Sequence, residues 1–287
     1  MLNQQQLLDY KKNGFLVLAD FFSEEEMHAI QAAANQVVED FDPSQSRAIF
    51  STKDHEKTRN DYFLGSSDKV RCFFEEEAFD EHGNLRQEKS LSINKIGHAL
   101  HILHPVFKAF SHSSKIKLLA RNLGIQAPSI RQSMYIFKQP KIGGVIRWHQ
   151  DATYFYTHPI SVVTFWVAVE DANIENGCLQ VQAQAPKTAD ANSAVFFDSP
   201  LREQFMRFAD DSTELKVLDC TPWPADESAM PLEVKKGTLV AFNGLLPHFS
   251  APNTSEKSRH AYTLHITCDD TEYVKENWIQ SPGSRLY

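Results

Sequence analysis

The 287-residue sequence predicts a mainly β fold that carries helices at its N-terminal end. Three observations predict it. After Pro128, short runs rich in β-branched and aromatic residues follow one another, and several alternate, as Val163-Thr164-Phe165-Trp166-Val167 does; that is the period of a strand. Gly and Pro punctuate the runs, at Gly143-Gly144, Pro159 and Gly237, and many short strands between turn residues describe a sandwich or barrel. Before Pro128 the apolar residues recur at helical spacing instead.

Residues 2–12 predict a short helix that stops near Gly14, and 15–18 a short strand. Ser23-Glu24-Glu25-Glu26 reads as a capping box, with Ser23 as the cap and Glu26 reaching back. The helix it opens sets Met27, Ile30, Ala34, Val37, Val38 and Phe41 on one stripe before Asp42-Pro43-Ser44 ends it. Residues 44–90 are polar; loop is expected there, with a strand near 70–74 and an exposed stretch over 80–89. From Ser92 to Leu103 the spacing again predicts helix, Pro105 starts a further turn, and 114–123 form a helix closed by Gly124. Strands are expected at 130–137, 145–149, 161–169, 178–182, 238–242 and 260–267. Residues 185–231 interrupt them, with a short helix near 202–209. The organisation expected is one domain over 1–287: a helical part at 1–125, a β core at 126–270 and an insertion at 185–231.

Composition narrows the function. Hydrophobic residues make up 42% of the chain, enough for a real core, and 20 Phe fit a β-rich interior. A net charge of −8 with no long basic tract argues against a nucleic-acid partner. No apolar run approaches a membrane-spanning length, and the polar start Met1-Leu2-Asn3-Gln4 does not read as a signal peptide. Cys72, Cys178, Cys220 and Cys268 form no C-x-x-C pair and read as reduced, mostly buried thiols. These features place the chain in the cytoplasm; its oligomeric state is not legible.

The stretch Arg147-Trp148-His149-Gln150-Asp151 carries the chemistry. On an extended strand, residues i and i+2 share a face, so His149 and Asp151 can reach one point. Imidazole plus carboxylate suits iron, manganese or zinc, and His248 is the best third ligand. Two His and one carboxylate form the facial triad of non-haem Fe(II) oxygenases, which leaves positions open for substrates. The two ligand groups lie 99 residues apart, and a jelly roll would bring them together. H-x-D alone is weak in a chain with 12 His. The order H-x-D, then His248, then Arg259 eleven residues later is more specific. An oxygen-activating Fe(II) centre needs two further electrons, which 2-oxoglutarate supplies, and the fork of Arg259 suits that co-substrate's distal carboxylate.

At this point the chain resembles the phytanoyl-CoA dioxygenase family, over nearly its whole length. The runs that carry the likeness include Ser92-Ile93-Asn94-Lys95-Ile96-Gly97-His98-Ala99-Leu100, Gln132-Ser133-Met134-Tyr135-Ile136-Phe137-Lys138-Gln139-Pro140 and His149-Gln150-Asp151-Ala152. Glu175-Asn176-Gly177-Cys178-Leu179, Ser258-Arg259-His260-Ala261-Tyr262-Thr263 and Glu276-Asn277-Trp278 add to it. The resemblance implies a double-stranded β-helix (a cupin-like jelly roll) that uses Fe(II), 2-oxoglutarate and O2 on a small-molecule substrate. It implies His149, Asp151 and His248 as iron ligands, and Arg259, Ser250, Lys95, Met134 and Trp166 around 2-oxoglutarate. One departure stands out. After Asn-Gly-Cys-Leu the family continues with an aromatic residue and Pro-Gly-Ser-His, whereas Leu179 here precedes Gln180-Val181-Gln182-Ala183-Gln184-Ala185-Pro186-Lys187. That segment edges the substrate mouth in the family, so the substrate is the open question. Lys138, Lys141 and Arg147 are expected to form a small basic rim suited to a compact anionic or polar substrate. Two rival readings stay open: a non-catalytic 2-oxoglutarate-binding protein and a zinc hydrolase on the same three ligands.

Overall fold

A computed structural model describes residues 2–44, 46–50, 61–182 and 197–287. The elements begin with helix α1 (Gln4–Asn13) and strand β1 (Phe15–Leu18). Helix α2 (Glu24–Asp40) opens with the expected capping box, Ser23 and Glu26 each bonding the other's backbone amide. It buries Met27, Ile30, Ala34 and Val38 of the expected stripe. Strand β2 (Val70–Phe74) stands where expected.

The helix expected over 92–103 is corrected. Ile93–His98 is a buried strand, β3, and only Leu100–Leu103 is helical. The register of β3 against β2 slips by one residue, so Phe74 faces Ile93 while Cys72 faces Ile96. This bulge brings Ile93 and Ile96, three apart, into one core cluster, so a bulged strand imitates helical spacing. Helices Pro105–Ser111 and Ser114–Asn122 follow.

The strands then run in sequence: β4 (Pro128–Ile136), β5 (Ile146–His149), β6 (Thr157–His158), β7 (Val163–Ala168), β8 (Leu179–Gln182), β9 (Glu203–Arg207) and β10 (Thr213–Val217). After them come β11 (Ala229–Leu232), β12 (Leu239–Asn243), β13 (His248–Ser250), β14 (Ala261–Cys268), β15 (Glu272–Tyr273) and β16 (Ser284–Arg285). The helix expected near 202–209 is therefore corrected to the first arm of a hairpin: β9 pairs antiparallel with β10 across the turn-forming Asp210-Asp211-Ser212.

A large antiparallel sheet runs β1-β12-β7-β14-β4-β3-β2, and a small one runs β11-β8-β13-β5. The two faces of the large sheet have separate tasks. Phe165 and Val167 of β7 and Tyr262, Leu264 and Ile266 of β14 pack with α2 and the later helices. Their neighbours Trp166, Ala168 and Ala261 pack instead with Leu179, Val181 and Leu232 of the small sheet. Strict alternation thus produces a helix layer, a large sheet and a small sheet. The two sheets make the double-stranded β-helix of the cupin-like jelly roll. Among the described residues no helix is long and apolar enough to cross a membrane. All four cysteines are unpaired, but only Cys72 and Cys178 are buried, which corrects the expectation that most would be; Cys220 is exposed.

Candidate active site

Strand β5 ends at His149, and Asp151 opens a tight 3-10 turn (Asp151–Thr153). Gln150 between them is extended (φ −125°, ψ 132°), so His149 and Asp151 share a face as expected, and the chain turns only from Asp151 onward. The segment is anchored by the Gln150 side chain, which is fully buried. Its amide donates to the carbonyls of Leu245 (2.7 Å) and Pro200 (2.9 Å), and its oxygen accepts from the Arg202 amide at 3.0 Å. The third ligand arrives by strand pairing. His248 of β13 lies directly opposite His149 of β5, and the rings stand 4.1 Å apart. One cross-strand pair thereby joins segments that are distant in sequence.

Asp151 Oδ1 lies 3.7 Å from Nε2 of both His149 and His248, and the three donor atoms fall within 4.8 Å of one another. The tautomers follow from the hydrogen bonds. His149 Nδ1 faces the Arg147 carbonyl at 2.8 Å, and His248 Nδ1 faces that of Leu246 at 2.9 Å. A carbonyl only accepts, so each Nδ1 carries the proton and each Nε2 presents its lone pair to the centre. Burial, then the neighbouring His248, pulls the His149 pKa down to about 3, which keeps the ring a neutral donor. The far oxygen of Asp151 accepts from the Thr164 hydroxyl at 2.5 Å and lies 3.5 Å from His265 Nε2. Thr164 and His265 escaped the sequence reading. Each occupies an inward position of the large sheet, in phase with Trp166 and Thr263, and that phase was the available signal.

The three donors open into a cavity of about 340 Å³. Lys95, Met134, Trp166, Ser250 and Arg259 all line it. Arg259 is 2% exposed; its Nε donates to the Gly177 carbonyl (3.1 Å) and its Nη2 to Ser250 Oγ (3.4 Å). Its Nη1 is buried and has no partner among the described residues. Burial lowers the guanidinium pKa to about 10, so it stays charged at neutral pH. A buried, half-satisfied cation costs free energy until an anion meets it. The Lys95 amine stands 3.8 Å from the Met134 sulfur and 3.0 Å from the centre of the Phe50 ring, and burial brings its pKa down to about 7.

Gly177 explains the Asn-Gly-Cys-Leu motif. It sits at φ +77°, and a Cβ there would stand 2.6 Å from both the Ala251 carbonyl and Lys138 Cε. Its own carbonyl receives Arg259 and the Ser250 hydroxyl. Gly177→Ala is expected to weaken 2-oxoglutarate binding by about 10-fold or more, through a displaced Arg259, while Fe(II) affinity changes little. Calorimetric titration of each ligand checks this; equal loss of both affinities would mean general disruption.

Other expectations need correction. Lys138 is buried and donates to the Gly144 carbonyl at 2.6 Å, and Lys141 pairs with Glu256 at 2.6 Å, so only Arg147 of the expected basic rim lines the cavity. His98 and His101, in the stretch expected as helix, do not share one. His98 ends β3 against Ser66 Oγ (2.7 Å), and His101 bonds Ser133 Oγ at 2.9 Å. Among the described residues, His149, Asp151 and His248 are the one group placed to hold a metal. Of the divergent 180–187 segment, Gln180–Gln182 belongs to β8, while 183–187 lies outside the described residues.

The residues fit the groups implied for them. Three convergent donors, each oriented by a hydrogen bond, suit Fe(II), and the orphaned Arg259 Nη1 suits a carboxylate of 2-oxoglutarate. Solved structures share the architecture. EctD from S. alaskensis, crystallised with 2-oxoglutarate and 5-hydroxyectoine, aligns with TM-score 0.63 at 18% identity, covering 99% of this chain and 85% of its own. SnoK, an alpha-ketoglutarate-dependent carbocyclase from nogalamycin biosynthesis, aligns with TM-score 0.62 at 19% identity, covering 100% and 94%. Fold and donor set together define an oxygenase of the Fe(II)/2-oxoglutarate class. The family model described as phytanoyl-CoA dioxygenase (PhyH) matches residues 10–261. A phytanoyl-CoA dioxygenase of Arabidopsis thaliana is 40% identical over 286 residues, covering 97% of this chain and 94% of its own length. Phytanoyl-CoA dioxygenase domain-containing protein 1 of Mus musculus is also 40% identical, covering 97% and 95%. The chain belongs to the phytanoyl-CoA dioxygenase family.

Proposed function

We propose that this enzyme hydroxylates a small molecule, consuming O2 and 2-oxoglutarate and releasing succinate and CO2. One oxygen atom enters the substrate as hydroxyl and the other enters succinate. Fe(II) held by His149, Asp151 and His248 supplies the oxygen-activating chemistry. The chain's own residues do the rest. Arg259 and Ser250 receive the distal carboxylate of 2-oxoglutarate, with Lys95, Met134 and Trp166 shaping the same end of the cavity. Thr164 holds Asp151 in its ligating orientation, and the Gln150 side chain anchors the extended link between His149 and Asp151. The aromatic walls exclude water from the reacting carbon. The observation that carries this reading is the buried, unpartnered Nη1 of Arg259 in the same cavity as three convergent donors. A hydrolase would have no use for that guanidinium. One core shared by α2, the later helices and the large sheet supports a single domain over 1–287, and four unpaired cysteines support a cytoplasmic setting.

The test is succinate formation from 2-oxoglutarate under air. Fe(II) is expected to support it and Zn(II) is not. Binding of 2-oxoglutarate without any succinate would favour the non-catalytic rival, and Zn(II)-dependent hydrolysis of ester substrates would favour the other.

The relatives' name raises acyl-CoA substrates. CoA carries several phosphates and would want a basic surface at the mouth, yet Lys138 is buried and Lys141 is already paired. Long acyl-CoA thioesters, phytanoyl-CoA among them, are therefore expected to yield no hydroxyacyl product when offered with Fe(II) and 2-oxoglutarate. A hydroxyacyl-CoA formed in step with succinate would sink this expectation.

A further inference from the structure

The part of the cavity away from Arg259 has its own chemistry. All four tryptophans of the chain line the cavity; Trp166 lies under the Arg259 guanidinium at 5.5 Å, and Trp148, Trp223 and Trp278 are the other three. Tyr154 and Phe205 join them. The rings are fixed, not loose. Trp148 Nε1 donates to Asp226 at 2.7 Å and its ring packs on Phe249 at 4.5 Å; Trp278 stacks on Phe63 at 4.7 Å. Glu203 brings a carboxylate into the same lining. It lies on β9 two residues before Phe205, and both line the cavity, as strand alternation requires. No hydrogen bond or ion pair engages the Glu203 side chain among the described residues, and burial raises its pKa. Arg207, on the same strand, is engaged by Asp211 at 2.7 Å.

We infer that this aromatic mouth and the Glu203 carboxylate in it bind the cationic part of the substrate: a small molecule bearing an alkylammonium or quaternary ammonium group. The identity of this cation as the substrate rests on the oxygenase reading; its binding does not. The physical reasons are two. Ring faces carry negative electrostatic potential and attract a cation, most of all in a partly desolvated site. A half-buried carboxylate without a partner is costly, and a cation relieves that cost. One cation already stands over a ring of the mouth: Arg202 lies 4.9 Å from the Trp223 ring, where its guanidinium donates to the carbonyls of Thr221 and Pro222 and to Ser199 Oγ, which leaves Trp148, Trp278, Tyr154 and Phe205 to meet a ligand's cation. Lys95 and Arg259 lie with Met134, Trp166 and Ser250 at the end assigned to the dianionic 2-oxoglutarate. Asp151 is turned to the metal donors. Arg147 also lines the cavity, but it is exposed, where water and salt screen its charge. The Gln150 bonds give the mouth a fixed place, because they tie the start of the β9 arm to the residue between His149 and Asp151.

Because every tryptophan lines the cavity, intrinsic fluorescence reports on it. The full-length protein, loaded anaerobically with Fe(II) and 2-oxoglutarate, is titrated with choline and with its neutral isostere 3,3-dimethylbutan-1-ol. The anion 3,3-dimethylbutanoate serves as a third probe. Choline is expected to bind at least about 10-fold more tightly than the alcohol. In Glu203→Gln, with folding checked by circular dichroism, that preference is expected to fall to near unity. Equal affinity for choline and the alcohol in the wild type overturns the inference, whatever the variant does. So does a cation preference that survives Glu203→Gln, or tighter binding of the anion. Neither titration requires turnover. If Fe(II) supports no succinate formation, the oxygenase reading fails while the cation preference is still read.

Discussion

His149→Ala, Asp151→Ala and His248→Ala are each expected to abolish Fe(II)-dependent 2-oxoglutarate turnover and to leave the chain folded. The expected loss is at least about 100-fold, since removing even the partner of a metal ligand typically costs 10- to 100-fold, and these three are proposed as the ligands themselves. Each is one of three protein donors that converge within 4.8 Å. Folding should survive because none anchors the main core. His149 keeps its place through β5–β13 backbone pairing, and the segment before Asp151 is anchored by the Gln150 side chain. Asp151→Ala is the most exposing of the three, since it leaves Thr164 without its acceptor. Succinate measured at saturating Fe(II), beside a melting curve for each variant, checks this. Wild-type turnover in all three folded variants would place the metal elsewhere.

The second large effect is at Arg259. Arg259→Met is expected to raise the KM for 2-oxoglutarate by about 10-fold or more, because a charge-assisted hydrogen-bonded pair is worth about 1.5–3 kcal/mol. Fe(II) affinity without 2-oxoglutarate should barely move. Stability supplies a second readout. In the ligand-free protein the guanidinium is a buried charge with Nη1 unsatisfied, and replacing such a charge with an apolar side chain of similar length is often neutral or stabilising. The variant should therefore melt no lower than wild type. With 2-oxoglutarate at 100 times its Kd, wild type should gain about 2.7 kcal/mol and the variant far less. A variant that melts well below wild type while binding 2-oxoglutarate normally would make Arg259 a structural residue.

The strands from Pro128 onward were legible because their register is simple. The alternation in 163–167 separates Thr164 and Trp166, which face the cavity, from Phe165 and Val167, which face the helices. The metal site was legible for the same reason: H-x-D, His248 and Arg259 are short signals that strand pairing makes adjacent. What escaped had physical causes. The bulge in β3 gave Ile93 and Ile96 the spacing of a helix. The β9–β10 hairpin draws its stability from partners that periodicity does not reveal. Lys138 looked like a rim charge, because nothing in a linear sequence shows that its amine is buried against the Gly144 carbonyl. The anchoring bonds of Gln150, to Leu245, Pro200 and Arg202, join segments far apart in sequence and leave no local pattern. Glu203 offered no motif at all; its meaning comes from the rings that the fold gathers around it.

The central claim is that three metal donors and Arg259 form one centre, so Fe(II) and 2-oxoglutarate must bind it cooperatively. Two ligands that share a site raise each other's affinity by the same factor. Anaerobic calorimetric titration of 2-oxoglutarate into the metal-free protein and into the Fe(II)-loaded protein measures that factor directly. The expected result is binding at least about 10-fold tighter with Fe(II) present, and no such gain in His149→Ala. Identical 2-oxoglutarate affinity in the presence and absence of Fe(II) would contradict it.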